Sequence, residues 1–150
     1  MKQIILIADD DDSVRQTLAR VLESENYRVV QARTGREAAS QFLAAVPDLV
    51  LLDLNMPDKD GWEAFRVMSR LEPLVPVIVI TARPHQYATA IELGIDALME
   101  KPLDLALLLA KIKGLLAESH KARLRRLTNP NFTTELLSQH TREPGQEKTL

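Results

Sequence analysis

Cysteine is absent from the 150 residues. Disulfides, thiolate zinc sites and a cysteine nucleophile are therefore excluded. Histidine is scarce: His85, His120 and His140 are scattered along the chain, which argues against a histidine-rich metal site. No apolar run approaches the roughly 18–20 residues of a membrane span. The N-terminus does not read as a secretory leader, because Asp9–Asp12 put four acids within the first dozen residues. Glycine is missing between Ala8 and Val14, where a dinucleotide-binding turn needs G-x-G-x-x-G. The same aspartates would repel a flavin or another phosphate at that loop. These absences predict a soluble, cytoplasmic chain without a nucleotide cofactor.

What is present suits a single domain. Hydrophobic residues make up 45% and charged residues 27%, near the average for globular proteins. A chain of this length buries enough surface to need no staples. Charge is uneven. Residues 1–118 carry 13 basic and 18 acidic side chains, a balance of −5, whereas residues 119–150 carry six basic and three acidic, a balance of +3. Texture changes at the same point, from alternating apolar and periodic segments to the polar stretches LTNPNF and HTREPGQEKTL. The boundary is expected near Glu118–Arg126: a domain over 1–118, then a helical extension and a partly disordered polar tail over 119–150.

Within the domain, five short apolar runs each precede a segment of helical spacing. Ile4–Ala8, Arg28–Ala32, Leu49–Leu52, Val77–Ile80 and the weaker Ala97–Met99 read as strands. Helices are expected over Ser13–Glu25, Thr34–Ala45, Gly61–Leu71, Pro84–Leu93 and Leu103–Leu116, with continuation of the last to Leu127 an open option. Thr34 with Glu37 has the capping-box offset, and Gly94 stands where a left-handed helix terminus is wanted. Strand–helix alternation of this kind means βαβ units, hence a parallel α/β sheet with helices on both faces. Ligands of such sheets bind beyond the carboxyl ends of the strands.

At those ends stand Asp9 and Asp10 after the first strand, Asp53 after the third, Thr81 at the fourth and Lys101 after the fifth. Each alone has an ordinary explanation. An aspartate run caps a helix and complements its dipole, an aspartate after a strand starts a turn, and Thr81 and Lys101 could be a plain strand residue and a solvated lysine. Together they supply what one site requires. Three clustered carboxylates repel and raise one another's pKa, a penalty that a hard divalent cation removes, and oxygen donors suit Mg²⁺. A lysine and a hydroxyl facing that cluster suit a phosphoryl group. Asp53 would be the nucleophile, forming an aspartyl phosphate.

The blocks ILIADDDDSVR, LLDLNMPDKDGWE, VIVITAR and MEKPL resemble the response-regulator receiver domain of two-component signalling, over roughly residues 2–118. That resemblance implies a flavodoxin-like (βα)5 fold, a doubly wound parallel five-stranded sheet of order 2-1-3-4-5. It implies that Asp9 and Asp10 hold Mg²⁺ with Asp53 and the backbone carbonyl of Asn55. Asp53 is then the phosphoacceptor, Thr81 the switch hydroxyl and Lys101 the phosphate contact, with Lys101–Pro102 a candidate cis peptide. The implied partners are a sensor histidine kinase or phosphotransfer protein and a downstream protein target, with a homodimer an open option. One position departs from the pattern: Leu98 stands where an aromatic ring is usual. The output change is accordingly expected in the loop after Thr81 and in the fourth helix.

Rival readings fare worse. A haloacid-dehalogenase-type phosphatase needs D-x-D, and Asn55 cannot protonate a leaving group. The basic octet His120–Leu127 has four Lys/Arg and no aromatic, so a solvated helical extension is expected in place of nucleic-acid binding. Phe132, Leu136 and Leu137 have the spacing of one amphipathic turn. A constitutive scaffold that keeps the fold without switching is opposed by the complete set of site residues.

Overall fold

The structure, a computed structural model, describes residues 1–58 and 60–138. The element order is β1 (Ile4–Ala8), α1 (Asp12–Ser24), β2 (Arg28–Ala32), α2 (Gly35–Ala45), β3 (Leu49–Leu52), α3 (Gly61–Leu71), β4 (Val77–Thr81), α4 (Tyr87–Leu93), β5 (Ala97–Glu100), α5 (Leu105–Ala117), α6 (His120–Leu127) and β6 (Glu135–Leu137). The sheet is parallel throughout, in the order β2-β1-β3-β4-β5-β6. The flavodoxin-like topology expected from the sequence is present.

The apolar runs are continuous because both faces of the sheet are covered. Alternate residues of each strand serve opposite cores. Leu6, Val50, Leu52, Val79 and Leu98 pack with Phe42, Phe65 and Met68 from α2 and α3. Ile5, Ile7, Leu51, Ile80 and Met99 pack with Leu18 and Leu22 of α1 and Leu108, Ile112 and Leu115 of α5. The α5 stripe is thus spent on the sheet. Helix starts are fixed by side-chain caps: Asp11, Thr34, Asp60, Asp104 and Ser119 each accept a backbone N–H of the first turn. Gly94, with φ +76°, ends α4 in the left-handed conformation that glycine adopts freely.

The structure differs from the sequence reading at several points. The sheet has six strands, since β6 pairs with β5 in the register Ala97↔Glu135, Leu98↔Leu136 and Met99↔Leu137. Leu136 and Leu137 therefore lie in a strand, and the amphipathic turn expected there does not form: β5 offers a free edge, and pairing with it satisfies backbone groups that an isolated turn would leave to water. The last helix does not run on to Leu127. It stops at Ala117, and Ser119 caps a separate α6. The extension is helical with His120, Lys121, Leu124 and Arg125 exposed, but Arg123 is buried, its guanidinium bonded to both oxygens of the buried Asp96 at 2.6 and 2.9 Å. Of the tail expected to be partly disordered, residues 128–138 are described and end in β6, and 139–150 lie outside the described residues. Helix α4 begins at Tyr87, three residues later than expected, because His85 takes a positive φ of 60° that breaks the helical path.

Candidate phosphoryl site

The parallel register carries the residues after each strand to one edge of the sheet. The ladder continues past the strands: the Asp9 amide donates to Ala32 O at 3.0 Å, the Asp53 amide to Ala8 O at 2.8 Å, and the Lys101 amide to Thr81 O at 2.8 Å. Their side chains meet there. Lys101 Nζ lies 3.0 Å from Asp9 Oδ2 and 3.4 Å from Asp53 Oδ2. One carboxylate oxygen from each of Asp9, Asp10 and Asp53 lies within 4.8 Å of the other two. Asp9 and Asp53 are buried, whereas Asp10 is exposed at the mouth.

The aspartate run divides its labour. Asp11 caps α1 by accepting the Val14 amide, and Asp12 pairs with Arg15. Asp9 is held facing the site, since its Oδ1 accepts the Asp11 amide at 2.9 Å. Asp53 Oδ1 accepts the Asn55 amide at 3.2 Å. Asn55 is exposed two residues beyond Asp53. Thr81 is fully buried, and its hydroxyl accepts the Arg83 amide at 3.0 Å, which leaves the hydroxyl proton available to another acceptor. Lys101–Pro102 is a cis peptide.

Burial raises the pKa of Asp53 from 3.8 to about 6, with the Asp9 charge adding to it, against the Asn55 amide and the Lys101 ammonium. Burial alone would lower Lys101, but its hydrogen bond to Asp9 and the charge of Asp53 outweigh this and raise it. Two carboxylates and one ammonium thus share a site with an excess of negative charge. A hard divalent cation fits the all-oxygen donor set of Asp9, Asp10 and Asp53 and relieves that excess.

Three residues that position the site were not singled out in the sequence. Arg15, buried on α1, donates from Nη1 to Asp9 O at 2.8 Å. Arg83 Nη2 spans Leu54 O at 3.1 Å and Asp60 Oδ1 at 2.8 Å, tying the loop after β4 to the loop after β3. Gly61 admits the close approach of that loop: a Cβ there would lie 2.4 Å from Leu54 Cα and 2.7 Å from Asp53 O. An inward-facing arginine looks like any surface arginine in a sequence. Gly61, directly after the cap Asp60, was the only one with a visible signal.

Residues 5–113 match the family model of the response regulator receiver domain. The chain belongs to that family. Among curated relatives, response regulator MprA of Mycolicibacterium vanbaalenii is 38% identical over 114 residues, covering 75% of this chain and 49% of MprA. The alkaline phosphatase synthesis transcriptional regulatory protein PhoP of Bacillus subtilis is 32% identical over 124 residues, 81% of this chain and 52% of PhoP. The chain spans about half the length of these relatives. Among solved structures, a CheY-like receiver domain protein from Methanospirillum hungatei superposes with a TM-score of 0.77 at 31% identity, over 81% of this chain and 98% of the other. The response regulator TrrA of Thermotoga maritima, solved in complex with Mg²⁺ and BeF, gives 0.70 at 29% identity, over 75% of this chain and 98% of TrrA. This receiver domain therefore belongs to two-component signalling, in which phosphoryl acceptance is the general function. No helix among its described residues is long and apolar enough to cross a membrane.

Proposed function

We propose that this receiver takes a phosphoryl group from a phosphohistidine of a histidine kinase or phosphotransfer protein onto Asp53, and that the change is passed to a downstream protein. The observation that carries the proposal is the convergence of Asp53, Asp9, Asp10, Lys101 and Thr81 at one sheet edge. An ionised Asp53 oxygen attacks phosphorus; the new P–O bond forms as the P–N bond to the donor imidazole breaks, and the imidazole keeps that electron pair. Burial pushes the Asp53 carboxyl up only to about 6, so at neutral pH its ionised, nucleophilic form prevails. Lys101 Nζ is placed to leave Asp9 and Asp53 for a phosphoryl oxygen. The Thr81 hydroxyl, turning from the Arg83 amide, donates to another. Asp9, Asp10, Asp53 and the Asn55 carbonyl are the ligands proposed for Mg²⁺, which when bound would neutralise the carboxylates and a phosphoryl oxygen.

The protein is read as a switching module of the cytoplasm, catalysing only its own phosphorylation and dephosphorylation. No nucleic-acid contact is proposed for α6, because Arg123 and Arg126 are engaged by Asp96 and Glu118. Intact mass after incubation with acetyl phosphate and Mg²⁺ tests the reading. Wild type should gain one phosphoryl mass and Asp53→Asn none; an unmodified wild type would overturn it.

A further inference from the structure

Residues 133–138 run along the β5 edge of the sheet, from α4 toward the loop that carries Lys101. The Tyr87 hydroxyl, in the first turn of α4, donates to Thr134 O at 2.7 Å. The fully buried Thr134 hydroxyl lies 3.1 Å from Ala90 O and 2.8 Å from Ile95 O. The Glu135 amide donates to Asp96 O at 3.0 Å, and Lys111 Nζ meets Glu135 Oε1 at 2.7 Å. Leu136, Leu137 and Ser138 line one cavity together with Met99, Glu100, Lys101, Pro102 and Asp104. One short segment therefore touches α4, β5, α5 and the Lys101 loop.

Both ends of this contact lead directly to the candidate site. Only residues 82–86 separate Thr81 from Tyr87, and the first of the loop's fixed points is the Arg83 amide bonded to the Thr81 hydroxyl. Gln86 is tied in turn to Trp62 Nε1 at 2.9 Å. On the other side, Lys101 directly follows β5, the strand on which β6 is laid.

We propose that residues 133–138 are a strap whose docking on α4 and β5 is linked to the chemical state of Asp53, so that a phosphoryl group there loosens the strap and uncovers the β5 edge. The proposal rests on the phosphoacceptor reading above. The strap's contacts fit the arrangement in which Thr81 holds the Arg83 amide and Lys101 holds Asp9 and Asp53. Redirecting both side chains to phosphoryl oxygens shifts the loop ahead of Tyr87 and the loop beside Leu136–Ser138, and so favours the undocked state. Release stops at α6. That helix is anchored independently, Arg123 and Arg126 both closing on Asp96, and Arg126 also on Glu118 at 2.8 and 2.9 Å. The turn at residues 128–132 is then the hinge. What it uncovers is a row of unpaired backbone groups on Ala97–Met99, an edge able to accept another strand.

Linkage makes the proposal testable from either side. Whatever factor the phosphoryl group takes from strap docking, loosening the strap returns to the affinity for a phosphoryl mimic. The full chain, with the variants Tyr87→Phe and Thr134→Val, should be titrated with Mg²⁺ and beryllofluoride by ¹⁹F NMR. Hydrogen exchange is followed over residues 133–138 and, as a control, over α6. Expected are faster exchange in 133–138 on beryllofluoride binding with α6 unchanged, and beryllofluoride binding up to about tenfold tighter in both variants, the equivalent of one hydrogen bond. A bound fluoride signal with unchanged exchange over 133–138 and equal affinity in both variants overturns the strap and spares the phosphoacceptor reading. No bound signal in the wild type overturns both.

Discussion

Replacing Asp53 by asparagine should make the metal-free protein more stable at neutral pH. The wild-type carboxyl is buried beside Asp9, and its pKa rises from 3.8 to about 6 for that reason. Its folded pKa lies above its unfolded one, so folding favours the protonated form. The contribution of this group to stability is full below the unfolded value and is lost as pH rises through about 6. At about 1.4 kcal/mol for each tenfold change in acidity, ionised Asp53 costs the fold about 3 kcal/mol at pH 7.5. The same linkage leaves a cost of only about 1 kcal/mol at pH 4.5. Asparagine keeps the shape and can still accept the Asn55 amide, while Lys101 keeps its bond to Asp9. The expected gain is about 2–3 kcal/mol at pH 7.5, seen as a rise in Tm of roughly 5–10 °C for a domain of this size. Urea unfolding of both proteins at pH 4.5, 6 and 7.5, without Mg²⁺, measures it. Adding Mg²⁺ at ten times its Kd should return about 1.4 kcal/mol to the wild type, and less to the variant. A variant no more stable than wild type at pH 7.5, or equally stabilised at pH 4.5 and 7.5, would refute the electrostatic account of the site.

Other perturbations separate the site from its supports. Asp10→Asn should weaken Mg²⁺ binding, followed by Trp62 fluorescence, and leave the unfolding midpoint of the metal-free protein unchanged or slightly raised, because one repelling charge is gone. Asp96→Asn strands Arg123, whose side chain is only 6% exposed, and should cost about 3–5 kcal/mol in denaturant unfolding. Burial works against the charge on Asp96, but Arg123 and Arg126 outweigh it and hold the pKa below 3.8. This contribution is therefore present above that value and lost as pH falls through the lower folded one. Gly61→Ala drives a Cβ against the backbone of Leu54 and Asp53; it should cost about 1–3 kcal/mol and slow phosphorylation by acetyl phosphate through displacement of the acceptor loop.

The sheet was legible because its inner strands β1, β3 and β4 are buried on both faces and so read as unbroken apolar runs. The site was legible for a topological reason: parallel strands deliver the residues that follow them to one edge, so Asp9, Asp53 and Lys101 could be grouped before any distance was known. The run Asp9–Asp12 was ambiguous between capping and ligation, and it does both, Asp11 capping while Asp9 and Asp10 face the site. β6 was not legible. Three residues with two adjacent leucines carry no period, and only the free edge of β5 makes them a strand. Within the octet of α6, the burial of Arg123 was hidden for a related reason. Whether Arg123 is solvated depends on Asp96, a buried acid 27 residues away whose role no local window shows.

Asp53 is proposed as the residue that receives the phosphoryl group. After treatment with acetyl phosphate and Mg²⁺, borohydride converts an aspartyl phosphate to homoserine, and peptide mass spectrometry locates the converted residue. Conversion at residue 53, with Asp9 and Asp10 intact, is the predicted result. Conversion at another aspartate, or at none in a protein that binds Mg²⁺, would contradict the account.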